Sequence, residues 1–135
     1  MIGKGKVLDI DPSTEILDFG AGTGVIGTLL NKKQGFNNII GIDASTNMVE
    51  RLKEDGLYKE VKQQYLGRGI ENFPEEYKNR FDLVTASGVW LKGHIPNTGY
   101  DDVYCAMKHN GYFVTAMRTT YWTEGEKEGY YDKLQ

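Results

Sequence analysis

Short apolar runs alternate with helix-spaced stretches along the chain. "EILDFG" (15–20) predicts a short buried strand running into a glycine-rich turn, and "VIGTLLNKKQG" (25–35) a helix that ends at Gly35. "NNIIGIDA" (37–44) predicts a second strand. "STNMVERLKEDGL" (45–57) opens on Ser/Thr caps and sets Met48, Val49 and Leu52 on one helical face. "YKEVKQQYLG" (58–67) predicts a third, weaker strand, and "ENFPEEYKNR" (71–80) a short polar helix or loop opened by a proline turn. "FDLVTASG" (81–88) predicts the fourth strand. "TGYDDVYCAMKHNG" (98–111) predicts a helix closed by Asn110-Gly111, and "YFVTAMRT" (112–119) the fifth strand. Strands alternating with helices across short loops imply an α/β fold, a parallel sheet covered on both faces. Ligands of such sheets sit beyond the carboxyl ends of the strands, which singles out segments 18–24, 43–48, 66–70, 86–94 and 116–122.

Composition narrows this picture without redirecting it. A chain of 135 residues implies one domain over 1–135, and 39% hydrophobic with 26% charged residues marks an ordinary globular chain. Acids and bases are interspersed around a net charge of −3, with no basic stripe to track a phosphate backbone, so no nucleic-acid partner is expected. No apolar run approaches the roughly 18 residues of a membrane span, and "MIGKGKVLDIDPSTE" lacks a signal-peptide core. Cys105 is the only cysteine, which excludes an internal disulfide and fits a reducing, cytoplasmic compartment. A buried structural thiol is its expected role.

The chemistry concentrates in "ILDFGAGTGVIG" (16–27). Gly20, Gly22 and Gly24 let the turn pass without side chains, so a ligand can approach the backbone. Read as Gly22-x-Gly24-x-x-Gly27, the stretch matches the dinucleotide fingerprint, with Asp43, nineteen residues beyond Gly24, on the ribose hydroxyls. Read as Asp18-x-Gly20-x-Gly22-x-Gly24, it matches an S-adenosylmethionine loop, and Asp43 keeps the same role. Asp18 separates the two. A carboxylate beside the turn suits the ammonium of a bound amino acid, directly or through water, whereas a pyrophosphate gains nothing from it. The plainer role of Asp18 is to cap the turn.

"ILDFGAGTGVIGTLL", "GIDASTNMVERL", "FDLVTASGVW" and "MKHNGYFVTAMR" together resemble the successive motifs of class I S-adenosylmethionine-dependent methyltransferases, over roughly residues 12–120. "DGLYKEV", "GVWLKGHIP" and "RTTYW" are similar, more loosely, to the small methyltransferase-like family related to the Williams–Beuren region protein. The resemblance implies a three-layer Rossmann-like sandwich of strand order 3-2-1-4-5. It places Asp18, Gly20 and Gly22 along the methionine end of the cofactor, S-adenosylmethionine, with Ala21, Gly24 and Ser87 also among the cofactor-binding residues. Asp43 would hold the ribose, with Ala44 and Met48 beside the adenosine; Met48 is equally explicable as a core residue of its helix. Gly67-Arg68-Gly69-Ile70 falls where the family's adenine-side loop lies and lacks the acid often found there.

Methyl transfer is an in-line displacement, so a protein mainly has to position the acceptor and exclude water. Ser87 and Gly88 are expected near the methyl donor, and Trp90 and His94 toward the acceptor. His94 is the one plausible neutral-pH base, since His109 falls in the turn before strand five; its plainer role is a backbone hydrogen bond in a Gly-His-Ile-Pro turn. Trp90 is as explicable by packing, and Tyr121 and Trp122 form either another wall or a cover over the sheet edge. No metal is expected. A small-molecule acceptor is expected for the enzyme. The alternative is a non-catalytic methyltransferase-like subunit of a larger assembly.

The last expectation comes from "TYWTEGEKEGYYDKLQ", sixteen residues after strand five, too few for the helix and antiparallel strand pair that end full class I domains. Strand five, carrying Phe113, Val114 and Met117, is then expected as a sheet edge covered by the tail or by a protein partner.

Overall fold

A computed structural model describes residues 12–22, 24–87 and 98–116. Five strands form one parallel sheet in the order β3-β2-β1-β4-β5: β1 (Ile16–Phe19), β2 (Ile39–Asp43), β3 (Glu60–Gln63), β4 (Phe81–Ser87) and β5 (Met107–Ala116). This is the expected class and strand order. β1 lies at the centre with all four residues buried, as a strand flanked by two others and covered on both faces must be. The antiparallel pair expected to be missing concerns residues beyond 116, outside those described.

One face of the sheet packs Ile16, Ile39, Val61 and Leu83 against Leu30, Val49, Leu52 and Tyr58. Those partners come from α1 (Val25–Thr28) with its π-helical continuation (Leu29–Lys33), from α2 (Thr46–Asp55), and from the segment after α2. The Ser45 hydroxyl caps α2 by accepting from the Met48 N–H at 3.3 Å, and Gly56 closes it in the left-handed region. The opposite face packs Leu17, Phe19, Ile40, Ile42 and Val84 against α3 (Gly99–Ala106) and against two single 3₁₀ turns, Ile70–Asn72 and Glu75–Tyr77.

Residues 71–80, expected as a polar helix or loop, instead send Phe73 and Tyr77 into that second core. Tyr77 is fully buried, its ring edge-on to Phe73 and Phe81, and its hydroxyl donates to Glu60 at 2.6 Å. The apolar spacing there is three to four residues with charges between, so the helical signal is too short to show.

α3 ends at Ala106, five residues before the expected stop. Met107 pairs with Phe81, the register then shifts, and Tyr112 pairs with Leu83. Residues 108–111 form the intervening bulge, with Asn110 at φ 67°. The Asn110-Gly111 signal is therefore a real break, placed inside β5 rather than at a helix end. Exposed His109 sits within it. Cys105 is half-buried against the second core rather than fully enclosed.

Candidate functional site

The site is built where the first two strands end. Asp18 aligns with Gly41 of β2 and Thr85 of β4, and Thr85 in turn with Val114 of β5. Aligned residues of a parallel sheet share a face, so Asp18 enters the core that holds Tyr58. It is 1% exposed. Its Oδ2 accepts from the Tyr58 hydroxyl at 2.5 Å and its Oδ1 from the Thr85 hydroxyl at 3.2 Å. Burial outweighs these bonds and raises the carboxyl from 3.8 to about 6, with a smaller push from the Asp43 charge. Tyr58 is itself raised by burial and by the Asp18 charge.

Above Asp18 the chain turns through Gly20, Gly22 and Gly24, all at positive φ (71°, 56° and 82°). The Gly20 and Ala21 N–H groups both donate to the Ile42 carbonyl at 2.9 Å, which ties the turn to the end of β2. At Gly22 an added Cβ meets, among the described residues, nothing closer than the Gly20 carbonyl oxygen at 3.8 Å, so no described side chain fills this side of the turn. Gly27 differs: a Cβ there falls 2.4 Å from the Tyr58 hydroxyl and ring. The third glycine of the dinucleotide pattern thus makes room for a tyrosine of the same chain.

Asp43 ends β2 with a half-buried carboxylate. Its Oδ2 accepts from the Gly22 N–H and its Oδ1 from the Ser45 N–H, each at 2.9 Å. It thereby joins the glycine turn to the start of α2. Each carboxylate oxygen has a second lone pair, leaving Asp43 able to accept from a ligand hydroxyl as well.

The other expected residues fall into two groups. Ala44 is exposed and its carbonyl accepts from Gln63 at 2.9 Å; Met48 is half-buried in the first turn of α2; Ser87 is exposed at the end of β4. Ala44 and Ser87 lie at strand ends, as do Gly20, Ala21 and Gly22. Gly24 is buried, with Leu52 Cδ2 2.8 Å from where its Cβ would stand. Gly88, Trp90, His94, Met117, Tyr121 and Trp122 lie outside the described residues. The loop 67–70, expected on the adenine side, is anchored by α3 and the residue before it: the Gly67 N–H donates to Asp102 at 2.7 Å and the Thr98 hydroxyl donates to the Gly67 carbonyl at 2.8 Å.

Tyr58 and Thr85 are the site residues that the sequence pattern did not single out. Thr85 carried a signal of the same kind as Asp18, a polar residue inside an apolar strand. Tyr58 carried none.

A family model described as a methyltransferase domain matches residues 10–127, most of the chain. The chain belongs to the methyltransferase domain family. Human methyltransferase-like protein 27 is 30% identical over 107 residues, which are 79% of this chain and 42% of that protein. Among solved structures, the domain superposes on a chain of the complex between the Haloferax volcanii Trm112 methyltransferase activator and a methyltransferase, with TM-score 0.61 and 17% identity, covering 79% of this chain and 46% of that one. It also superposes on the trans-methyltransferase CalH, solved with S-adenosylhomocysteine, with TM-score 0.59 and 22% identity, covering 87% of this chain and 39% of that one. The chain spans less than half the length of each of these relatives. The superpositions on the two solved structures establish a shared fold. No helix among the described residues is long and apolar enough to cross a membrane.

Proposed function

We propose that this domain binds S-adenosylmethionine on the glycine turn and transfers its methyl group to a small-molecule acceptor. The observation that carries this reading is the pairing of two carboxylates, Asp18 beneath the turn and Asp43 bonded to it, with a backbone surface at Gly22 that no described side chain fills. Both carboxylates suit a ligand with ribose hydroxyls at one end and an ammonium at the other.

When bound, S-adenosylmethionine supplies an electrophilic methyl group on a cationic sulfonium. Asp43 is the acceptor for ribose hydroxyls, and the backbone of Gly20 to Gly22 gives the methionine end room to lie close. Asp18, enclosed under Tyr58, acts through its charge across a short stretch of low dielectric rather than by direct contact. His94 is proposed as the base on the acceptor side from its place in the sequence. His94→Ala then lowers turnover and leaves cofactor affinity nearly unchanged; turnover equal to wild type assigns His94 a structural role.

Calorimetric titration with S-adenosylhomocysteine and NAD in parallel tests the cofactor. The expected result is binding of S-adenosylhomocysteine in preference to NAD, weakened by roughly 1.5–3 kcal/mol in Asp43→Ala, the scale of hydrogen bonds to a charged group. Tighter binding of NAD overturns the reading.

A subunit role is the second reading. Among the described residues β5 is an edge strand with Tyr112 about half exposed, and one structural relative was solved with an activator protein. A protein partner on the edge bearing Phe113 and Val114 would then complete the acceptor side. Light scattering during chromatography, joined to hydrogen exchange across residues 112–119, tests this second reading: a monomer whose strand-five amides exchange freely overturns it.

A further inference from the structure

We propose that Tyr58 is a positioning residue of the cofactor site: its ring, seated in a slot of glycines, fixes the turn, while its hydroxyl holds Asp18 as an oriented carboxylate. The proposal rests on the cofactor reading above and adds to it a residue from outside the glycine motif.

The slot is defined by what a side chain would meet. A Cβ at Gly27 falls 2.4 Å from the Tyr58 ring and hydroxyl, one at Gly41 falls 3.0 Å from the other ring edge, and one at Gly24 comes within 3.6 Å of it. Gly27 and Gly41 therefore leave their side-chain space to one ring, and Gly24, whose own space is met first by Leu52, lines the same edge as Gly27. The three belong, in that order, to α1, to β2 and to the turn before α1. A ring held along both of its edges cannot swing away without moving the turn, so its hydroxyl has a fixed direction, and that direction ends on Asp18 Oδ2 at 2.5 Å. Thr85 fixes the other carboxylate oxygen.

A carboxylate with no cationic partner among the described residues, 1% exposed, is otherwise an expensive group in a core. A purely structural core would carry an apolar residue at Asp18. The arrangement makes sense if a negative charge is wanted beneath the turn and the hydroxyls of Tyr58 and Thr85 keep it there.

The groups around Asp18 make the test clean. Tyr58 and Thr85 are its hydrogen-bond donors, α1 and α2 present Ile26, Val49 and Leu52, and β5 presents Val114. Asp43 at the end of β2 is the charged group among the described residues that acts on it. Tyr58→Phe keeps the ring in its slot and removes only the donor to the carboxylate, so the charged form of Asp18 loses support and its titration moves upward.

The experiment follows the Asp18 carboxyl carbon by NMR across pH 4 to 8 and measures S-adenosylhomocysteine affinity over the same range, in wild type and Tyr58→Phe. The expected result is an Asp18 midpoint about one pH unit higher in the variant, with the pH dependence of affinity moving by the same amount. Loss of packing alone lowers affinity equally at every pH and leaves the midpoint in place, and that outcome overturns the proposal. Wild type binding with a shifted Asp18 midpoint but an unshifted affinity profile overturns the positioning role alone. Absence of wild-type binding at any pH overturns the cofactor reading and this role with it. Should Tyr58→Phe fail to fold, the wild type still decides: a slowly exchanging, downfield Tyr58 hydroxyl proton that is lost as Asp18 protonates supports the proposal, and its absence at pH 7 overturns it.

Discussion

Asp18 stabilises the fold least in the very form proposed for its function. Its carboxyl titrates at about 6 when folded, against 3.8 for the free group, because burial penalises the charge. Between those values the folded chain holds a proton that the unfolded chain has released. Stability therefore falls as pH rises from about 4 to about 6, by roughly 2–3 kcal/mol at about 1.4 kcal/mol per unit. Asp18→Asn removes the charge and keeps the shape, its amide oxygen accepting from Tyr58 and its amide nitrogen donating to Thr85. Thermal denaturation at pH 7 is expected to show a higher melting temperature than wild type, with the slope between pH 4 and 6 flattened. S-adenosylhomocysteine affinity is expected to fall at least tenfold. A variant that melts lower at pH 7 shows that the charge stabilises the core rather than straining it. Stability surrendered at one buried group in exchange for a site is a common trade.

At the scale of elements, the glycine turn and α1 are shaped as much by Tyr58 as by a ligand. A glycine in a helix ordinarily costs up to about 1 kcal/mol relative to alanine, so Gly27→Ala should on propensity alone stabilise α1. Here the new methyl falls 2.4 Å from the Tyr58 ring, and the overpacking penalty of about 1–3 kcal/mol wins. Denaturant unfolding is expected to show net destabilisation by Gly27→Ala in wild type. The same substitution is expected to be neutral or stabilising in a Tyr58→Ala background, where the ring is gone; additive effects in the two backgrounds rule out the contact. A second case is β5, whose bulge at 108–111 interrupts its pairing with β4 between Met107 and Tyr112. Gly111 lies against backbone there, 3.0 Å and 3.1 Å separating its Cβ position from the Lys108 and Phe81 carbonyl oxygens. A side chain at this position requires these carbonyls to give by a few tenths of an ångström.

Across the whole molecule, stability is expected to decline from the centre of the sheet outward. β1 is bonded on both sides and buried throughout, while β3 is a four-residue edge strand with Glu60 exposed. Hydrogen exchange should find the amides of Ile16–Phe19 opening only with global unfolding and those of Glu60–Gln63 opening far sooner. Equal protection of the two would mean that the sheet opens as a single unit. The order of the elements, the parallel sheet and the acid-and-glycine turn after β1 were all legible in the sequence, because each depends on neighbours within a few positions: apolar runs, caps, and glycines where a turn needs them. Helix and strand limits around residues 98–116 were not, since the boundary at Met107 is set by its pairing with Phe81 across the sheet. The link between Asp18, Tyr58 and Thr85 was hidden for the same reason. Its members lie 40 and 67 positions from Asp18, and only the register of β1 against β2 and β4, with the glycine slot it creates, brings them to one carboxylate. Local pattern determined which elements this chain makes. Tertiary packing decided which residue fills the glycines' empty space and how a buried charge is held.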